Sequence, residues 1–145
     1  MKKIETNNKI YHYEIVIDNI TNNNFNLFLK KIINLSKKKY IYLGIDLEFN
    51  SKTEIGSFQL NFNYNNKTDQ YMYIINYDIL TDENKDLFLN KILLNKKVKK
   101  IMHGTHGLDL PTLIFSILKD EKNILKFIKS YYDIKFMCNY LAIKL

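Results

Sequence analysis

Arginine and tryptophan are absent from this 145-residue chain, and proline, cysteine and glycine are scarce at one, one and four. Without Arg, any phosphate contact falls to Lys, a point charge that lacks the bidentate guanidinium fork. The lone Cys138 cannot close an internal disulfide, which fits a reducing compartment. Few Pro and Gly beside 46% hydrophobic residues exclude collagen-like and disordered chains. No apolar run approaches the roughly 20 residues of a membrane span, and no apolar segment follows the basic start to make a secretory signal. A cytoplasmic or nuclear protein that does not engage a membrane is therefore expected. Also missing are a P-loop, a Gly-x-Ser-x-Gly elbow and a dinucleotide fingerprint, so neither P-loop nucleotide hydrolysis nor serine hydrolase chemistry is supported.

What is present is lysine: 22 basic residues, all Lys, against 15 acids give a net charge of +7. Ile and Asn are inflated too, at 21 and 19, as AT-rich coding would produce. A basic surface attracts polyanions, but here base composition accounts for much of it. The length suits one domain over residues 1–145, large enough to bury roughly 68–70% of the surface of its unfolded form.

The period of the apolar residues gives the elements. Residues 11–17 read as a strand, and the Asn-rich stretch at 21–24 supplies helix-capping side chains. Phe25, Phe28, Leu29, Ile32 and Ile33 then fall on one helical face, closed by Lys37–Lys39. Strands over 40–49, 56–64 and 70–76, separated by polar turns at 50–54 and 65–69, form an antiparallel meander. Thr81 caps a helix reaching about Leu94, and a short strand spans 98–102 within the basic segment Lys96–Lys100. A His-Gly-Thr-His-Gly turn leads to a helix with Leu110, Leu113, Ile114, Ile117 and Leu118 on one face and Pro111 in its first turn. A last helix starts at Asp133 as N-cap and is expected to bury Phe136, Met137, Tyr140 and Leu141. The order β-α-β-β-β-α-β-α-α describes an α/β domain with a mixed sheet flanked by helices.

The chemistry concentrates in two segments. In Gly44-Ile-Asp-Leu-Glu-Phe49, alternation sends Ile45 and Leu47 to one face of the strand and Gly44, Asp46 and Glu48 to the other. Two carboxylates so placed repel unless a shared proton or a divalent cation relieves them. The alternative is that they are the solvated face of a half-buried strand. In Lys100-Ile-Met-His-Gly-Thr-His-Gly-Leu-Asp109, a strand ends in a turn and a helix opens with an acid, which the helix dipole alone would favour. Loops at strand ends are also where α/β folds place their sites. His103 and His106 lie in that turn, with too few further ligands nearby in sequence for a zinc site.

Taken in order, these pieces resemble the ribonuclease D-like 3′–5′ exonucleases of the DEDD superfamily, on a ribonuclease H-like fold. Gly-Ile-Asp46-Leu-Glu48-Phe is similar to the family's first motif, Asp-x-Glu, and Gly56-Ser-Phe-Gln-Leu60 to its next strand. Tyr71-Met-Tyr-Ile-Ile75 resembles the third strand. Lys100-Ile-Met-His-Gly and Asp109 resemble the second motif, and Tyr132-Asp133 the start of the following helix. The resemblance implies a mixed sheet of three antiparallel hairpin strands plus a parallel strand. It also implies a Mg²⁺- or Mn²⁺-dependent exonuclease acting on the 3′ end of single-stranded RNA or DNA. Asp46, Glu48 and Asp109 would bind metal and act in catalysis. Leu47, Phe49, His103 and His106 would lie against the substrate.

One departure is as informative as the match. The family's third motif, Tyr-x₃-Asp or His-x₄-Asp, supplies a fourth carboxylate and a water-orienting group. Past Asp109 the acids are Asp120, Glu121 and Asp133, and none follows Tyr or His at either spacing. The domain is thus expected to be C-terminally incomplete. Three readings follow: activity with a partner chain completing the site, a degenerate domain that only binds nucleic acid, or a protein-interaction role.

Overall fold

The computed structural model describes residues 2–6, 9–16, 23–51, 53–63 and 69–144. Its sheet has seven strands: β1 (Lys2–Thr6), β2 (Lys9–Val16), β3 (Ile41–Ser51), β4 (Glu54–Asn63), β5 (Asp69–Asn76), β6 (Val98–Met102) and β7 (Tyr131–Asp133). They lie in the order β1-β2-β5-β4-β3-β6-β7. The hairpins β3/β4 and β4/β5 are antiparallel, whereas β6 runs parallel to β3 and β7 parallel to β6. This is the mixed α/β sheet expected of a ribonuclease H-like fold. It is wider than expected, because β7 extends one edge and the β1/β2 hairpin, joined through β2 parallel to β5, extends the other. Residue 17 of the first expected strand, the capping positions 21 and 22, and the turn at 65–68 lie outside the described residues.

Among the described residues, five helices accompany the sheet: α1 (Asn23–Lys38), α2 (Asp82–Phe88), α3 (Asp109–Leu113), α4 (Glu121–Ile128) and α5 (Ile134–Lys144). Thr81 caps α2 as expected, its hydroxyl accepting from the Asn84 amide at 3.3 Å. α2 and α3 each run on into a π turn, Leu89–Leu93 and Ile114–Leu118. Their closing amides, Leu94 and Lys119, reach back five residues to the Leu89 and Ile114 carbonyls. α4 was not anticipated from the sequence. Asp120 caps it by accepting from the Asn123 amide at 2.8 Å.

One face of the sheet is covered. Ile41, Leu43, Ile45 and Leu47 of β3 join Phe58, Leu60 and Phe62 of β4 and Tyr73 and Ile75 of β5 in the core. Phe25, Phe28, Leu29 and Ile32 of α1, Phe88 of α2 and Phe127 of α4 pack into the same cluster. The Phe58 and Phe88 rings meet at 4.8 Å and Phe28 and Tyr73 at 4.9 Å, close enough for aromatic attraction beyond simple burial. The opposite face presents Tyr42, Gly44, Asp46 and Glu48 of β3, Gln59 and Asn61 of β4, Met72 of β5 and Ile101 of β6, all exposed or half-buried. Parallel strands, as β3, β6 and β7 are to one another, are usually covered on both faces, so this open face is where function is to be sought.

The burial expected for α5 is corrected by the structure. Phe136, Met137 and Leu141 are all more than half exposed, and the side chain of Tyr140 lies outside the described set. Asp133, not the apolar stripe, sets the course of α5: its carboxylate accepts from the Lys135 amide at 2.9 Å and leads the helix directly off β7. No helix among the described residues is long and apolar enough to cross a membrane.

Candidate functional site

Asp46 and Glu48 share the open face because their odd-numbered neighbours on β3 are drawn into the core. The pairing with β4 sets Gln59 opposite Asp46 and Ser57 opposite Glu48. The Gln59 amide donates to Glu48 Oε1 at 2.9 Å, fixing one carboxylate oxygen. Just beyond, the register slips between Glu48 and Phe49, a bulge that re-aims the end of the strand. Gly56 allows this crossing, since a Cβ there would lie 2.3 Å from Asn50 Oδ1. Asn50 in turn donates to Asp78 Oδ2 at 2.7 Å.

Asp109 arrives from the other segment. The turn between β6 and α3 is held by Asp133, which accepts from the Gly104 and Thr105 amides at 2.9 Å each and from the Thr105 hydroxyl at 3.1 Å. Gly104 takes φ +65°, a conformation that suits glycine. The Tyr131 hydroxyl also bonds Thr105 Oγ1. Burial alone would raise the pKa of Asp133, but those backbone donors together with the Lys135 amide hold it well below the usual carboxylate range. From this clamped turn the chain enters α3, placing Asp109 at its first residue.

Asp109 feels the other two acids. It is half-buried, and its pKa is raised first by that burial and then by the negative charges of Asp46 and Glu48. Among the described residues, however, no group of three or more His, Cys, Asp and Glu side chains is gathered closely enough to hold a metal ion as it stands. The arrangement is an electrostatic cluster, not a closed ligand set. Its donor chemistry, carboxylate oxygens in mutual repulsion, fits a hard divalent cation such as Mg²⁺ or Mn²⁺.

Beside the acids, Gly44, Asp46, Gln59, Asn61, Met72 and His103 help line an open groove of about 490 Å³. His103 is thus brought to Asp46. His106 is exposed further out, its ring 5.3 Å from that of Phe136. Leu47 is not brought to this face: it is 5% exposed and belongs to the core. Phe49, half-buried, packs against the core cluster. Sequence reasoning missed Gln59 as the partner of Glu48, a pairing that depends on register between two strands. It also took Asp133 only as a cap for α5, although the same carboxylate builds the turn that carries Asp109. Of the downstream acids, Asp120 caps α4 and Asp133 holds this turn, so neither is free to act as a fourth carboxylate.

No protein-family model matches the chain. A protein described as uncharacterized protein L533, from Acanthamoeba polyphaga mimivirus, is 34% identical over 136 residues. The alignment takes in 92% of this chain and 26% of that protein, so the chain spans about a quarter of that relative's length. Among solved structures, the Aedes aegypti Nibbler EXO domain superposes with a TM-score of 0.49 at 13% identity, covering 91% of this chain and 56% of that one. Trypanosoma brucei RNase D gives 0.46 at 16% identity over 74% and 34% of the two chains, and its GMP complex gives 0.48 at 13% over 86% and 33%.

Proposed function

We propose that this chain is a nuclease-like domain that takes the 3′ end of single-stranded RNA or DNA at Asp46, Glu48 and Asp109. The supporting observation is the raised pKa of Asp109, caused in part by two other acids on an open sheet face. A polyanion meets such a cluster favourably only through a cation, so Asp46 and Asp109 are assigned to hold Mg²⁺ or Mn²⁺. Glu48, steadied by Gln59, would hold metal or the terminal 3′-hydroxyl. A divalent ion there would lower the pKa of a water and offset charge on the phosphate during hydrolysis. His103, on the groove, would meet a phosphate, and His106 with Phe136 would meet a base further out.

A second reading has its own support. With Asp120 and Asp133 engaged by backbone amides, and Glu121 on a separate groove beside Lys122, Lys126 and Lys129, no fourth carboxylate is supplied from the described residues downstream of Asp109. The domain would then bind a strand end without cutting it, unless a partner chain completes the site. Incubating a 5′-labelled single strand with Mg²⁺ or Mn²⁺, beside the Asp46→Ala variant, separates the readings. Metal-dependent shortening lost in Asp46→Ala supports hydrolysis. Retained, metal-stimulated binding without shortening supports the binding domain, and neither shortening nor binding sinks both.

A further inference from the structure

The open face carries a second feature, toward the start of β3 and about 13 Å along the strand from Asp46 at the usual rise per residue. Tyr40 and Tyr42 are 50% and 66% exposed there, and Tyr132 on β7 is 37% exposed. Register sets Tyr42 beside Lys99 of β6 and Tyr132 beside Ile101. Lys99 Nζ lies 4.8 Å from the Tyr40 ring centre and 5.9 Å from that of Tyr132, and Lys97 Nζ lies 4.5 Å from Tyr40. Two ammonium groups thus stand among three accessible phenol rings.

Three features indicate what such a surface takes. Exposed rings flanked by cations offer stacking for bases and charge for phosphates at once. Among the described residues no carboxylate belongs to the strip, and a second copy of a chain carrying +7 would be repelled from it. Its neighbours on the face are Gly44, Asn61 and Ile101, a small residue, an amide and one aliphatic side chain, which leave room for a flat base beside the rings. We propose that Tyr40, Tyr42 and Tyr132, with Lys97 and Lys99, form a stacking platform for single-stranded nucleic acid. The platform needs no metal and does not depend on the carboxylate site.

The test is fluorescence anisotropy of labelled oligo(dT) and oligo(U) in EDTA, with circular dichroism confirming that each variant folds. Binding measured in EDTA, where no divalent ion can sit among the carboxylates, keeps this proposal separate from that at the acids. Tyr42→Ala/Tyr132→Ala should weaken binding at least tenfold, since each lost base stack accounts for roughly a 5- to 150-fold change. Lys99→Gln should weaken it and flatten the salt dependence by about 0.7 in log–log slope. Equal binding by the double tyrosine variant, or equal affinity for duplex and single strand, would overturn the proposal in favour of plain charge attraction. Absence of binding, or sedimentation of wild type as a dimer that the double variant abolishes, would overturn it in favour of a protein-covered face.

Discussion

Lys100 gives a sharp test of the fold's energetics. It lies on the covered face of β6 with no exposed surface, over the Phe127 ring at 5.5 Å. Its amine donates to Ser130 Oγ and, at 3.3 Å, to the Asn95 carbonyl. No carboxylate is among these partners. Burial, and to a lesser degree the charge of Lys99, lower its pKa from 10.5 to about 7. An unfolded chain holds this proton up to pH 10.5, whereas the folded one releases it near 7. Between those values the unfolded state binds more protons, so stability must rise with pH. The slope is about 1.4 kcal/mol per pH unit, and the full interval amounts to about 5 kcal/mol as an upper limit.

The perturbation is Lys100→Met, which keeps the aliphatic stem and removes the titrating group. It leaves the buried Ser130 hydroxyl without the amine, a loss of about 1–3 kcal/mol that does not vary with pH. Urea denaturation at pH 6.5, 7.5, 8.5 and 9.5 should show wild type gaining about 3 kcal/mol relative to the variant between pH 7.5 and 9.5. Staying below pH 10 avoids Tyr77, whose pKa burial, and then Asp86, push up to about 12. Parallel pH profiles for the two proteins would refute the reasoning, because they would mean that the amine is charged in the fold as it is in water.

Three further outcomes are expected. Asp46→Asn should bring the Asp109 titration down toward the ordinary carboxylate range without fully restoring it, since burial remains; carboxyl NMR titration reads this, and an unmoved Asp109 would mean that the acids do not share a site. Asp133→Asn should destabilise by about 1–3 kcal/mol through loss of the charged acceptor for Gly104, Thr105 and Lys135. Because that pKa is lowered in the fold, wild type should lose this stability as pH falls below the ordinary aspartate range, and the variant should show a flatter acid limb in denaturation curves. Gly56→Ala should cost about 1–3 kcal/mol in urea denaturation, because its Cβ must displace Asn50 from the bulge; an unchanged midpoint would show that Asn50 is free to swing away.

How far these features could be read from sequence depends on the range of the interaction behind each. β3 was legible because a period of two is a local property: once Ile41, Leu43, Ile45 and Leu47 are committed to a core, Asp46 and Glu48 must share the other face. Thr81 and Pro111 were legible for the same reason, since caps and first-turn prolines act within one helical turn. β7 has three residues, too few to show a period, and exists because Lys100, Ile101 and Met102 offer it a parallel partner. The π turns add a residue that no apolar spacing announces. Gln59 became part of the site through a register between strands eleven residues apart in sequence.

The misreading of α5 and the partial reading of Asp133 share one cause, which ties the fold to the site. An apolar stripe such as Phe136, Met137 and Leu141 predicts that a face wants a partner, but it does not determine where the helix points. Direction comes from the first turn, and there Asp133 binds the Lys135 amide while its other contacts reach across to Gly104 and Thr105. The stripe finds nothing to bury it among the described residues, so its burial does not compete with a carboxylate held by that many amides at the helix start. The clamp therefore fixes two things together: the outward course of α5 and the turn from which Asp109 faces Asp46 and Glu48. Weakening it should disturb both. In Asp133→Asn, the raised pKa of Asp109 should move along with the stability, and a variant that lost stability while Asp109 titrated as before would separate the turn from the site it is argued to build.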